Sequence, residues 1–338
     1  MSAAGGPAAP SRAGWPHQDS PFHDGERQAQ ERAGVADKIE SVGRRVIRTF
    51  MPEDHRELFG KLPLLFLGVV DDLGQPWASV ASGAPGFVRT PDERTLHVSA
   101  RLHAADPAAP WLRVGRAIGL LGLEAATRRR NRVNGELAQV DERGLTVRVT
   151  QSFGNCPQYI WARQPAQELD AAGPAVAQPL GPHLDAAARA LIGAADTFFI
   201  ATASAAAAAA ARGHEANLAP SDGVDVSHRG GKPGFVAVHQ GVDGVELCAP
   251  DYRGNFLFNT LGNLEQHPRA GLLFVDYHSG DMLSLTGEAS VSWDAPELAL
   301  QPGAQRLLRL RVTRAVRLPG ALPWRWSAPT PAPQLAAP

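Results

Sequence analysis

The feature that most constrains this chain is a repeat. Pro85-Gly86-Phe87-Val88 recurs as Pro233-Gly234-Phe235-Val236, 148 residues later. Arg116-Ala117-Ile118-Gly119-Leu120-Leu121 resembles Arg269-Ala270-Gly271-Leu272-Leu273 at an offset of 153, and Asn134-Gly135-Glu136 resembles Thr286-Gly287-Glu288 at 152. Three ordered matches at a near-constant offset point to a duplicated unit. Two copies of one unit in one chain can rebuild the two-fold interface of a homodimer. A cleft between such halves is a natural ligand site.

Each unit reads as a set of short strands. In the first half LLFLGVV, a DDLGQ turn and PWASVAS predict a hairpin, followed by TLHVSA, AIGLLGLE, RVNGELAQVD and LTVRVTQS. In the second half VDVSHRGG, KPGFVAVHQ, GVELCAP, RAGLLFVDY, DMLSLTGEASVSW and QRLLRLRVTRAVRL follow the same style. Strands at this spacing predict a mainly β chain with flanking helices (α+β), as barrels or sandwiches. Val35, Ile39, Val42 and Val46 predict an amphipathic helix, and Pro52 opens a second, PEDHRELFGKL. HLDAAARALIGAAD (183–196) and LGNLEQHP (261–268) predict two more.

Composition sets the remaining boundaries. Gly, Pro and Ala in 1–20 predict a disordered lead, and 327–338 a disordered tail. The Pro- and Ala-rich stretch 164–182 predicts a linker between a first unit, 21–163, and a second, 183–326. The alanine-rich tract 204–223 predicts a variable surface loop, with a short helix of the alanines as the alternative.

Several functions are excluded by what is missing. A formal net charge of −1 argues against a general nucleic-acid binder. No apolar run is long enough for a transmembrane helix. Cys156 and Cys248 form neither a disulfide framework nor a zinc spacing, which suits a reducing cytoplasm. There is no Walker loop, G-x-G-x-x-G, H-E-x-x-H or G-x-S-x-G motif, and the histidines do not cluster as metal ligands.

The remaining chemistry concentrates in 225–263. SHRGGKPG brings Ser227, His228, Arg229 and Lys232 around adjacent glycines. Asn255, Asn259, Thr260 and Asn263 then gather before and within a predicted helix start, where free N–H groups favour anions. A basic turn near a polar helix start predicts a phosphate site. The basic run TRRRNRVNG leaves two readings open for Arg128, Arg129 and Arg130: solvated charges on a strand face, or side chains lining the interface cleft. Cys156, just before Pro157, reads as structural. Trp77, Trp111 and Trp161 read as core or interface packing.

DVSHRGGKPGFV, YRGNFLFNTLGNLEQHPRAGLLFVDY and LTGEA resemble the pyridoxamine 5′-phosphate oxidase-like, FMN-binding split-barrel family. PWASVASGAPGF, TRRRNRVNGEL and QSFGNCPQYIWAR resemble the first half of double-barrel members. The resemblance implies two tandem six-stranded Greek-key split β-barrels packed as a pseudo-dimer, with FMN at their interface. It places Ser227, His228, Arg229 and Lys232 near the FMN phosphate or ring edge, and Asn259, Thr260, Leu261, Gly262 and Asn263 in a second phosphate-binding segment. RLHAADPAAPWLRVG stands where the first half would need that segment, so one full FMN site per chain is expected. The implied function is an FMN-dependent oxidoreductase of a small molecule, with NAD(P)H or a partner reductase as electron donor. A non-catalytic flavin or haem protein is the alternative, with His228 as the axial candidate. The arrangement suits a monomeric pseudo-dimer or a homodimer. Pyridoxamine 5′-phosphate oxidase activity itself is not expected, because no Arg-x-His closes the chain.

Overall fold

The computed structural model describes residues 14–168, 176–242 and 244–336. The expected lead, linker and tail therefore lie in part outside the described residues.

Three helices open the chain: α1 (Asp24–Arg32), α2 (Ala36–Val46) and α3 (Glu53–Lys61). The first sheet follows as β1 (Leu64–Val70), β2 (Pro76–Ser82), β3 (Val88–Asp92), β4 (Thr95–Val98), β5 (Ala117–Glu124), β6 (Arg129–Asp141) and β7 (Gly144–Asn155). Short strands β8 (Pro165–Glu168) and β9 (Gln178–Pro179) and helix α4 (Ala186–Ala194) connect to β10 (Thr197–Ala203), α5 (Ala205–Ala211), β11 (Val224–Gly230), β12 (Ala237–Gly241) and β13 (Gly244–Tyr252). Helix α6 (Asn259–Gln266), β14 (Arg269–Val275), β15 (Met282–Ser292), β16 (Ala304–Leu318), β17 (Trp324–Trp326) and α7 (Pro333–Ala336) complete the chain.

The duplication is visible in the strand order. The first sheet runs β2-β1-β5-β6-β7-β4-β3 and the second runs β11-β10-β14-β15-β16-β13-β12, the same path. In each, seven strands curl without a ladder joining the two edge strands among the described residues, so each barrel is split. The implied count of six is exceeded by one strand in the first sheet and by two in the second, where β9 also pairs with β16. The bulges repeat too: β6 shifts register at Asn134/Gly135 and β15 at Thr286/Gly287.

Alternation explains why the central strands are apolar throughout. Leu65, Leu67 and Val69 of β1 point into the first barrel core, while Leu64 and Phe66 point into a separate apolar layer. Phe198 and Ile200 of β10 fill the second core, and Phe199 and Ala201 meet that same layer. The layer is the barrel–barrel interface. Phe66 pairs with Val80 and Leu121, and Phe199 with His228 and Leu273, so the two phenylalanines are equivalent positions. They stack on each other, with centroids 3.5 Å apart at 14°. A residue that meets its own counterpart marks a two-fold relation.

The alanine tract departs from the loop reading. Residues 205–211 form α5, not a surface loop, and Ala207, Ala208 and Ala211 are buried against Val70, Ala203 and Val224. Ser204 caps this helix by accepting from the Ala207 N–H at 3.2 Å. Alanine propensity and small side chains both suit a helix pressed onto the ends of three strands. No helix among the described residues is long and apolar enough to cross a membrane.

Candidate functional site: an arginine pocket between the barrels

A pocket opens where β11 of the second barrel faces β6 of the first. Strand β11 contributes Ser227, His228 and Arg229; β6 contributes Arg130 and Arg132; β13 ends in Asp251 and Tyr252; β16 contributes Arg306. Asn155 at the end of β7 and the loop residues Gln158 and Tyr159 close one side, and residues 253–256 and 258–261 the other. The enclosed space is about 90 Å³. Sites that enclose a drug-sized ligand usually measure roughly 300–1,000 Å³. The enclosed part therefore has room for a small head group and not for a whole drug-sized ligand. Tyr159 and Tyr252 stack at its mouth, at 5.0 Å and 20°.

The electrostatics are one-sided. Five arginines line the pocket (Arg130, Arg132, Arg229, Arg253 and Arg306) against one carboxylate, Asp251. Asp251 is shared: Arg229 Nε lies 3.2 Å from one oxygen, and Arg306 Nε donates to the other at 2.8 Å. Arg132 donates to Asp225 at 2.7 Å and to Ser227 Oγ. Arg130 has carbonyl partners, Cys156 O at 2.7 Å and His228 O at 3.5 Å. Burial, and then the neighbouring Arg229, bring the Arg130 pKa down to about 9. Arg132 Nε and Asn155 Nδ2 are buried without a hydrogen-bond partner, and Arg229 Nε has only its ion-pair contact with Asp251. Buried donors of this kind call for an acceptor.

Seven of the sequence-predicted residues line this pocket: Ser227, His228, Arg229, Asn255, Asn259, Thr260 and Leu261. Thr260 Oγ1 donates to Ser227 Oγ at 3.1 Å, tying the helix start to β11. Helix α6 has no side-chain cap, and its N-cap residue Phe258 sits at φ 61°. Asn255 folds the approach loop by accepting from the Leu257 N–H at 3.2 Å.

Three predicted residues do not line the pocket. Lys232 is exposed in the turn, where its carbonyl accepts from Phe235 N at 2.9 Å. Gly262 is where α6 crosses α1, since a Cβ there would lie 2.4 Å from Glu26 N. Asn263 is buried and donates to Asp225 at 2.9 Å and Thr202 at 3.0 Å. Its partners belong to a polar network beneath the pocket, which also includes Asn134 donating to Asp225 at 2.8 Å.

The basic run divides. Arg130 lines the cleft, Arg129 pairs with Asp54, and Arg128, at φ 60°, donates to the carbonyls of Ile160 and Pro331. Alternation therefore does not govern Arg128, which precedes the strand. Arg132, Arg306, Asp251 and the Asn155–Tyr159 loop were not singled out as site residues. The polar stretch SFGNCPQY, placed at a strand exit, was the available signal. Cys156 contributes its carbonyl, and Gly230 lets the same loop approach: a Cβ on Gly230 would lie 2.0 Å from Tyr159 O.

His228 is fully inside. Burial, then Arg130 and Arg229, hold its imidazole well below its usual pKa. At pH 6 the ring is expected to be neutral, and long-range ¹H–¹⁵N NMR of the imidazole nitrogens checks this. A protonated His228 at that pH would contradict the burial.

The related position in the other half is different. The strand registers match His228 with Val80, Arg229 with Ala81, Arg130 with Met282 and Arg132 with Ser284. Val80 and Met282 pack in the interface layer with Leu322. Cations are absent from these four positions.

No family model and no curated protein sequence matches the chain. Among solved structures, it is similar to HupZ of Group A Streptococcus (11% identity, 39% of this chain and 91% of that one, TM-score 0.28). It is similar to HutZ, the haem storage protein of Vibrio cholerae (14% identity, 40% and 95%, TM-score 0.26). It is also similar to a pyridoxamine 5′-phosphate oxidase-related, FMN-binding protein of Nostoc punctiforme (11% identity, 41% and 87%, TM-score 0.23).

Proposed function

We propose that the arginine pocket holds the phosphate of FMN and that the chain is an FMN-dependent oxidoreductase of a small molecule. The observation that carries the reading is the charge of the pocket, five guanidiniums against one lining carboxylate. A phosphomonoester brings about −1.5 to −2 charges and three acceptor oxygens, which suits orphaned donors. The donor set fits: Arg130 and Arg229 supply charge, Ser227 the hydroxyl that only accepts from Arg132 and Thr260, and the uncapped start of α6 its N–H groups. The motif resemblance in 225–263 points to the same group.

When bound, FMN supplies the electron transfer. The chain's own residues bind and orient it. Asp251 holds Arg229 and Arg306 at fixed angles, and Arg132 fixes Ser227. The stacked pair Tyr159 and Tyr252 gives the mouth an aromatic surface. Haem ligation through His228 has less support. Its Nε2 lies 3.4 Å from Thr197 Oγ1, and its ring packs edge-on against Phe199 at 5.7 Å.

The test is titration of the purified chain with FMN, riboflavin and haem, followed by absorption and flavin fluorescence. Saturable FMN binding is expected, with riboflavin weaker. Arg229→Ala should weaken FMN by roughly 10- to 100-fold, the worth of a hydrogen bond to a charged group, and leave riboflavin unchanged. Asp251 keeps Arg306 in that variant, so the fold should survive. Absence of FMN binding, or saturation by haem alone, defeats the reading. Reduction of the bound flavin by NADPH or NADH then tests for the electron donor.

A further inference from the structure

A second cavity lies away from the arginine pocket. Strands β8 and β17 form a two-stranded ribbon outside both barrels. The segments flanking this ribbon pass over the end of β14 and the C-terminus of α4. Trp326 N donates to Tyr277 O at 3.2 Å, Ser327 N to Gln164 O at 2.9 Å, and Ala162 pairs with Thr330. Beneath this roof is a space of about 350 Å³. That falls inside the size range of small-molecule sites.

Two aromatic rings stand among its mainly aliphatic and polar walls. The Tyr277 and Trp326 rings meet edge to face at 5.6 Å and 80°, and the Arg163 guanidinium lies over Tyr277 at 4.0 Å. Arg163 is buried and bound to Asp196, yet its Nε has no hydrogen-bond partner. Trp326 Nε1 is also without one. Two lining residues therefore carry N–H donors left unsatisfied.

The charge separates this cavity from the arginine pocket. Arg163 is neutralised by Asp196. Burial pushes the Asp276 carboxyl up, but the N–H groups of His278 and Ser279, donating to it at 2.8 and 3.3 Å, together hold it below the usual range. His278 sits exposed at the edge. No excess of positive charge is available for an anion.

We propose that this cavity is a second ligand site, taking a neutral aromatic ring that carries a hydrogen-bond acceptor, such as an aryl amide. The rings supply apolar walls, and the buried Arg163 and Trp326 N–H groups become donors on a small turn of their side chains toward the ligand. The inference stands apart from the FMN reading, because it shares no residue with the arginine pocket.

Benzamide and benzoate, alike in shape and different in charge, are the probes. Ligand-observed NMR with the full chain should show saturable benzamide binding and little for benzoate. Ala194→Phe fills the cavity from the exposed end of α4 and should abolish benzamide binding. Trp326→Phe keeps a ring and removes one donor, so affinity should fall ~2- to 10-fold. Thermal melts of both variants exclude unfolding as the cause, and phosphate or FMN binding should be unchanged. No benzamide binding to the native chain, equal binding of benzoate, or full binding by Ala194→Phe overturns the proposal.

Discussion

Asp225→Ala is expected to cost about 3–5 kcal/mol, the usual loss when one partner of a buried ion pair is removed. Asp225 is 6% exposed and pairs across the ladder with Thr202, on the face of β11 that α6 covers. It accepts from Arg132 at 2.7 Å, Asn134 at 2.8 Å and Asn263 at 2.9 Å. Two of these donors come from the first barrel and one from α6, so a single carboxylate joins three elements. Its removal strands the Arg132 charge, which is buried and has Ser227 as its other side-chain partner. Asp225→Asn should fare little better, because an amide nitrogen would face donors. The measurement is the urea midpoint, with near-UV circular dichroism to follow tertiary packing. A double variant, Asp225→Ala with Arg132→Met, should recover part of the loss, since no unpaired charge remains. A loss under about 1 kcal/mol for the single variant would show that the network is not the joint it appears in geometry.

Much of the architecture was legible, because a duplication prints its period on the sequence. Pro85-Gly86-Phe87 and Pro233-Gly234-Phe235 mark one turn in each barrel, and β1 and β10 read as apolar because both of their faces are covered. The alanine tract misled because polar, low-complexity sequence follows it. Nothing local reveals that Val70, Ala203 and Val224 provide a floor for the helix. At the site, the basic turn offers both Arg229 and Lys232 as cations, with Arg229 the more important. Only Arg229 lies on the strand that faces the other barrel. Arg132 and Arg306 escaped notice because their carboxylates are remote in sequence: Asp225 is 93 residues from Arg132, and Asp251 is 55 from Arg306. A strand shows which residues alternate, but not which strand of a distant repeat it will meet.

Gly119→Val and Gly271→Val should each destabilise the chain by roughly 3 kcal/mol, at the upper end for overpacking. A Cβ on Gly119 would lie 2.4 Å from Val224 O, and one on Gly271 would lie 2.4 Å from Pro76 O. Both contacts are with backbone, which cannot turn aside as a side chain can. The two glycines are counterparts, β5 pressing on β11 and β14 on β2, so a two-fold arrangement predicts similar losses. Gly193→Ala on α4 is the control, since no atom lies within 4 Å of its added Cβ. Urea titration compares the three. The effect on anion binding should be unequal. Gly119 presses on the strand that carries Ser227, His228 and Arg229, whereas Gly271 presses on the strand that carries Ser79, Val80 and Ala81. Gly119→Val should therefore weaken FMN binding well beyond Gly271→Val at matched stability. Unequal destabilisation would contradict the symmetric packing. Equal losses of FMN binding would contradict a single cationic site on the β11 side. The two readouts separate what duplication built from what divergence of one half later added.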